Sequence, residues 1–236
     1  MRAVILAGGK GTRLKPYTTF IPKPLVPIGG EMPILEVVLR QLSQAGFNHV
    51  TLAVNHLSNL IMAYFGDGSR WGINIDYSLE SKPLSTIGPL TLIPDLPENF
   101  LVMNGDILCD LDYRAFFDFH VASGSDVTVS SYKRDTKIDF GVLRYDSSGY
   151  IHEFIEKPVH RYDVSMGIYG VRRSLIERLA KNEPYGFDDL MLDGIKRGDR
   201  LLARPFAGFW LDIGRPDDYD YANENYDEIK KRLGLT

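Results

Sequence analysis

After Arg2 the run Ala3-Val4-Ile5-Leu6-Ala7 is apolar without interruption, and it stops against Gly8-Gly9-Lys10-Gly11-Thr12-Arg13. Strands covered on one face alternate apolar and polar side chains, whereas strands covered on both faces read as continuous apolar runs. The run is therefore a strand inside a sheet with helices above and below. The glycine loop at its end starts a βα unit.

The first half of the chain keeps that alternation. Pro33 can open a helix, Ile34, Leu35, Val38, Leu39 and Leu42 recur at helical spacing, and Gly46 can stop it. His49–Val54 reads as the next strand, followed by a helix near 57–65, a strand near 73–79, a helix opening near Ile87 and a strand over 100–103. Strands alternating with helices pair in parallel through right-handed crossovers. After a helix over Tyr113–Ser123 the pattern turns strand-rich, with strands expected at 126–133, 141–145, Ile151–Ile155 and 167–171. Helices near 174–180 and 188–196, a strand at Leu201–Phe206 and one amphipathic helix over about 217–233 complete it. The expected fold is α/β: a Rossmann-like, doubly wound, mainly parallel sheet with helices on both faces and a small strand-rich elaboration. No internal repeat or Pro/Ser-rich linker divides the chain, so a single domain over 1–236 is expected.

Composition restricts the ligands. With 44% apolar and 25% charged residues the chain can bury a core, and 27 basic against 31 acidic residues leave a net charge of −4. No overall positive field holds a nucleic acid or an anionic membrane, so an anionic ligand needs a local cluster of cations. A single cysteine, Cys109, cannot form an intrachain disulfide, and no apolar segment approaches the ~20 residues of a membrane span. A cytoplasmic protein is expected.

Open sheets bind ligands at the carboxyl ends of their strands, where two loops stand out: Gly8 to Arg13, and Asn104-Gly105-Asp106. Small residues in the first let backbone N–H groups close around phosphate oxygens. The loop is not a Walker A motif, because Gly11 is followed by Thr12-Arg13, and it is not a dinucleotide fingerprint, because Leu14 stands where a third small residue is required. A plain strand-to-helix turn without a ligand is the structural alternative. Arg13 and Lys23 add cations beside the loop, and Pro22 and Pro24 are expected to hold Lys23 in extended, non-helical backbone. Asp106 and Asp212 taken singly read as turn caps, and Lys157 as a solvated charge.

The stretch from Leu6 to Pro16, with Pro22-Lys23-Pro24-Leu25-Val26-Pro27, closely resembles the signature of sugar-1-phosphate nucleotidylyltransferases. The resemblance continues through Glu80 to Leu90, Asn104-Gly105-Asp106, Phe140-Gly141-Val142, Glu156-Lys157-Pro158, Gly167-Ile168-Tyr169 and Trp210 to Pro216. The run from Pro22 to Gly30 is most similar to mannose-1-phosphate and heptose-1-phosphate guanylyltransferase-like members. This implies the nucleotide-diphospho-sugar transferase fold, with a nucleotide-binding half over about 1–125 and a sugar-phosphate-binding half over about 126–236. No carboxyl-terminal β-helix of the kind that some relatives append is expected.

It also implies roles. Arg13, Lys23 and Asp106 would be catalytic, and Asp106 and Asp212 would hold one Mg²⁺. The nucleotide would lie on Leu6, Ala7, Gly8, Gly9, Gly11, Thr12, Arg13 and Lys23, with its base near Glu80, Pro83 and Gly88. Asn104, Gly141, Glu156, Lys157, Ser165 and Gly167 would bind the sugar phosphate, Lys157 gripping the phosphate from an extended backbone set by Pro158. The partners implied are an NTP and a sugar 1-phosphate. A carboxylate at Glu80 can accept from the N1–H and N2–H₂ edge of guanine, which favours GTP. UTP-dependent relatives acting on muramic-acid-type sugars share much of the same pattern and remain the alternative. Ser85 and Ile87 add bulk beside the expected nucleotide, and Ser165 shortens a side chain towards the sugar; they mark an unusual sugar or base, or reduced activity. A silent binding protein on the same fold is the reading of another class. The carboxyl-terminal helix, with Tyr219, Tyr221, Tyr226, Ile229 and Leu233, is a packing helix or part of a homodimer contact.

Overall fold

In chain order the computed structural model, which describes residues 1–235, has strands β1 (Arg2–Leu6), β2 (Pro27–Ile28), β3 (Met32–Pro33), β4 (His49–Val54), β5 (Asn74–Leu79), β6 (Asn99–Asn104), β7 (Ile107–Cys109), β8 (Val127–Lys137), β9 (Val142–Tyr145), β10 (Ile151–Ile155), β11 (Val159–Arg172), β12 (Leu201–Phe206) and β13 (Trp210–Asp212). Its helices are α1 (Ile34–Gln44), α2 (Ser58–Phe65), α3 (Tyr113–Ser123), α4 (Arg173–Ile176), α5 (Phe187–Arg197), α6 (Pro216–Glu224) and α7 (Tyr226–Arg232). Seven strands form the central sheet in the order β12-β8-β11-β6-β1-β4-β5. β1 runs parallel to β4 and β6, β4 to β5, and β12 to β8; β11 is antiparallel to both β6 and β8. The mainly parallel, doubly wound sheet expected from the sequence is therefore present, with one reversed strand.

The continuous apolar run of β1 is buried on both faces. Ala3 and Ile5 join Leu35, Leu39, Leu52 and Met103 in a core on the α1 and α3 side. Val4 points to the opposite core with Ile87, Phe100, Val102, Leu175 and Leu190. This alternation follows from the two-residue period of a strand. A third cluster docks the chain's end on its beginning: Tyr226, Ile229 and Leu233 pack with Val26, Ile28, Ile34 and Val37. The carboxyl-terminal segment is thus a packing element within the chain.

Several elements differ from the expectation. The helix expected at Ile87 is a 3-10 turn over Gly88–Leu92, because the N–H groups of Ile87 and Gly88 are both drawn to the Tyr185 carbonyl, at 2.9 and 3.0 Å. The helix expected at 174–180 is α4, which ends at Ile176 and continues as i→i−3 turns, Arg178 to Leu175 and Leu179 to Ile176. The strand expected at 167–171 is the inner end of the 14-residue β11. The final helix is broken at Asn225, whose side-chain amide donates to the Tyr221 carbonyl at 2.9 Å. Beyond the sheet, β9 and β10 form a separate antiparallel ribbon that exposes Phe140, Tyr145, Tyr150 and Phe154. No helix among the described residues is long and apolar enough to cross a membrane.

Candidate active site

The register of the sheet brings three strand ends together. Leu6 lies opposite Ala53 on one side and Asn104 on the other, so the loops after β1, β4 and β6 open on one edge. A cavity of about 510 Å³ sits there, and every residue from Leu6 to Leu14 lines it. Glycine at position 8 is required by close approach: a Cβ there would stand 2.8 Å from Glu80 Oε1 and 3.2 Å from Asn55 Cβ. The loop backbone therefore lies directly against the Glu80 carboxylate. The other oxygen of Glu80 accepts the Leu84 N–H at 3.2 Å. Burial raises the Glu80 carboxyl above the ordinary range, with that hydrogen bond opposing. Pro83 and Ser85 complete this end.

Arg13, Lys23 and Asp106 line the same cavity. The Gly105 N–H bonds to the Leu6 carbonyl at 3.1 Å, which ties the β6 exit to the end of β1. Asp212 arrives by a separate route. β13 pairs with β7 so that Asp212 is opposite Ile107, and the Ile213 N–H donates to the Asp106 carbonyl at 3.1 Å. One oxygen of Asp106, Oδ2, accepts from Lys23 Nζ. Its Oδ1 is buried with no hydrogen-bond partner. The Asp212 carboxyl is pushed up by burial and then by the Asp106 charge, against Lys23 and Arg13. Two mutually repelling carboxylates, one with an orphaned buried oxygen, fit a hard divalent cation. No group of three or more His, Cys, Asp or Glu among the described residues could hold a metal, so water and phosphate oxygens would complete the shell, as Mg²⁺ prefers.

A family model described as nucleotidyl transferase matches residues 2–229. The chain belongs to the nucleotidyl transferase family. It is 35% identical over 225 residues to the mannose-1-phosphate guanylyltransferase catalytic subunit beta of Drosophila pseudoobscura pseudoobscura, covering 92% of this chain. With the same subunit of Xenopus tropicalis it shares 36% over 227 residues, 93% of this chain. The chain spans about 60% of the length of these relatives, 60% of the first and 62% of the second. Among solved structures, HddC from Yersinia pseudotuberculosis superposes with a TM-score of 0.75 at 28% identity, covering 95% of this chain and 99% of that one. The same protein complexed with GMP-PN gives 0.73 at 27%.

Within this nucleotidyl transferase domain the residues expected at the sugar phosphate fall into two groups. Asn104 lines the cavity, and a Cβ on Gly167 would stand 2.6 Å from its Nδ2. Ser165 Oγ accepts the Gly167 N–H at 3.2 Å and donates to the Tyr169 hydroxyl at 3.2 Å, at an irregularity in the β8–β11 pairing. The second group sits by the ribbon: a Cβ on Gly141 would be 3.3 Å from Glu156 Oε2, and Lys157 Nζ lies 3.8 Å from Glu156 Oε1. Lys157, Glu156 and Gly141 are solvent-exposed, and the nucleotide cavity is lined by none of them.

Four sequence expectations are corrected here. Lys157 is not extended; its φ is +44°, and the turn it makes lets Ile138 bond the Pro158 carbonyl at 3.0 Å, so that β11 starts opposite the end of β8. Lys23 is not in extended backbone either but opens a 3-10 turn over Lys23–Leu25, closed by the Leu25 N–H to the Pro22 carbonyl at 2.8 Å. Both prolines supply the φ that such a turn uses. Ile87 is fully buried in the second core rather than beside the nucleotide. Gly88 is buried against the Glu183 carbonyl and the Tyr185 N–H, and Pro89 lines the cavity in its place.

Asn55 and Lys10 were not anticipated as lining residues. Asn55 directly follows β4, and the rule that ligands gather at carboxyl strand ends could have found it. A second cavity of about 440 Å³, shared at Arg13 and Gly214, had no sequence signal, because β8 and the turn after β13 meet only in the fold.

Proposed function

We propose that this domain transfers guanylyl from GTP to a sugar 1-phosphate of mannose or heptose type, giving a GDP-sugar and pyrophosphate for glycan, capsule or lipopolysaccharide precursors. The observation that carries it is the meeting of Asp106 and Asp212, from separate segments, beside Arg13 and Lys23, at a cavity that Asp106, Arg13, Lys23 and Glu80 line together. Similarity to proteins named mannose-1-phosphate guanylyltransferase, and to a protein solved with GMP-PN, supports the choice of base.

A sugar 1-phosphate has a second pKa near ~6, so its oxygen is anionic at neutral pH and needs no general base. That oxygen forms a bond to the α-phosphorus of GTP while the bond from phosphorus to the bridging β oxygen breaks, its electron pair leaving with pyrophosphate. The protein's task is to bring two polyanions into line and neutralise the leaving group. Arg13, Lys23 and the loop N–H groups hold the triphosphate, and Glu80 accepts from the guanine N–H edge. Lys157 and Glu156 hold the sugar phosphate. Mg²⁺ on Asp106 and Asp212, when bound, supplies charge neutralisation at the transferring phosphoryl oxygens.

The reading includes a cytoplasmic setting, where nucleoside triphosphates are made. It also includes a homodimer, supported by the exposed aromatic residues of the β9–β10 ribbon, which sedimentation of the purified protein checks. The function is tested by pyrophosphate release with GTP, UTP, dTTP, CTP and ATP against a panel of sugar 1-phosphates. GTP with a mannose- or heptose-type phosphate is expected to lead. Preference for UTP with an acidic amino sugar replaces the base and sugar, and silence with intact NTP binding replaces the enzyme with a binding protein.

A further inference from the structure

The second cavity adjoins the first at Arg13 and Gly214 and is bordered by Asp212. Its walls are the segment Tyr132 to Asp135 of β8, strand β13 with the turn after it, and Asp218 of α6. Four cations line it, Arg13, Lys133, Arg134 and Arg215, and none of them makes an ion pair among the described residues. Three acids line it as well, Asp135, Asp212 and Asp218. Asp135 pairs with Arg161 at 3.1 Å, and Asp218 Oδ2 accepts the N–H groups of Gly214 and Arg215 at 3.3 and 2.9 Å. With Asp135 neutralised by Arg161, the four cations outnumber Asp212 and Asp218, so the concavity is locally positive in a chain of net charge −4, a field that an anion relieves. Two or more guanidinium forks suit the oxygens of a phosphate.

The position selects which anion. A Cβ on Gly214 would lie 3.5 Å from Asp212 Oδ2 and 3.8 Å from an Arg13 guanidinium nitrogen, so this turn is the partition between the two cavities. Arg13 lines both cavities and follows the glycine loop, where the phosphates of a bound triphosphate would lie. The ribbon residues expected at the sugar phosphate, Glu156 and Lys157, line neither cavity. The second cavity is therefore the concavity next to Arg13 that an anion displaced from the α-phosphorus would meet.

We infer that this cavity is a pyrophosphate subsite, in which Arg134 and Arg215 take the leaving group from Arg13. The inference rests on the nucleotidyl transfer proposed above. It is tested on the full chain by calorimetric binding of pyrophosphate in the presence of Mg²⁺, and by the half-saturating pyrophosphate concentration in the reverse reaction with a GDP-sugar. Arg134 and Arg215 are exposed, so Arg134→Ala and Arg215→Ala leave the core untouched. Each is expected to weaken pyrophosphate about tenfold, the scale of one charge-assisted hydrogen bond, with Arg→Lys at the same positions partly restoring it. Affinity for a non-hydrolysable GTP analogue should move much less. Unchanged pyrophosphate affinity in both variants overturns the assignment. So does weakening confined to the sugar 1-phosphate, which makes the cavity a subsite for a second anionic group on the sugar. The binding measurement needs no turnover, so failure of every sugar phosphate tested would remove the proposed reaction while the pyrophosphate comparison still decides the cavity.

Discussion

A buried carboxylate oxygen without a partner is costly unless a positive group reaches it, and Asp106 Oδ1 is in that position. Asp106→Asn keeps the shape and removes the charge. Turnover is expected to fall about 10²–10³-fold, the scale for losing one electrostatic contributor to a transition state, with a smaller effect on GTP binding. Lys157→Ala should instead raise the KM for the sugar phosphate. Steady-state kinetics that reverse this split would reassign both residues. Glu80 gives a pH signature. Burial raises its carboxyl, so as pH falls it takes up a proton before ordinary carboxylates do, and a protonated acid no longer accepts from both guanine N–H groups. The KM for GTP should therefore rise on acidification earlier than that for the sugar phosphate, and Glu80→Gln should abolish this rise. At this scale the glycine loop and Asp106 were legible, since each follows an apolar strand directly. The conformations of Lys23 and Lys157 were not: the φ of a proline suits a 3-10 turn as well as extended backbone at Lys23, and the Ile138 N–H that meets the Pro158 carbonyl beside Lys157 comes from a distant segment.

The elements show how local preference yields to pairing. β11 reads locally as a short apolar strand, yet it runs for 14 residues because its outer half finds β8, from Val159 opposite Lys137 onward. Its inner half carries a packing requirement. A Cβ on Gly170 would lie 2.4 Å from His120 Cγ, beneath α3. His120 cannot easily retreat, as its Nδ1 bonds Thr128 Oγ1 at 2.9 Å and Thr128 is tied to Ser125 at 2.7 Å. Gly170→Ala should thus cost about 1–3 kcal/mol by overpacking, read as a lower urea midpoint at unchanged slope. A midpoint equal to that of the parent would mean that α3 can shift at no cost. The break at Asn225 had a local signal that the helical periodicity overrode, since Asn223, Asn225, Tyr226 and Asp227 are weak helix formers and Asn is a favoured cap.

For the whole molecule, the same histidine couples stability to pH. His120 is fully buried, and burial, aided by Arg172, lowers its pKa to about 4. Unfolded, it takes up a proton near the ordinary value of about 6.5. Its contribution is complete above that pH and is lost as pH falls through the window down to about 4, at most about 3 kcal/mol. Glu80 and Asp212, whose carboxyls are raised, act in the opposite direction. Comparing urea midpoints at pH 7 and 4.5 for the parent and His120→Asn isolates the term, and equal losses in both would exclude it. By itself the sequence determined what depends on neighbouring residues: the buried first strand, the glycine loop, the βα alternation, and motifs specific enough to place the chain in its family. Only the tertiary structure decided what depends on distant segments meeting. It reversed β11, set Asp212 beside Asp106 through the β7–β13 pairing, pressed Gly8 against Glu80, and gathered Arg134 and Arg215 around a cavity next to Arg13. Periodicity and turn chemistry are written residue by residue, whereas an orphaned oxygen or an unpaired guanidinium exists only once packing has excluded every nearer partner.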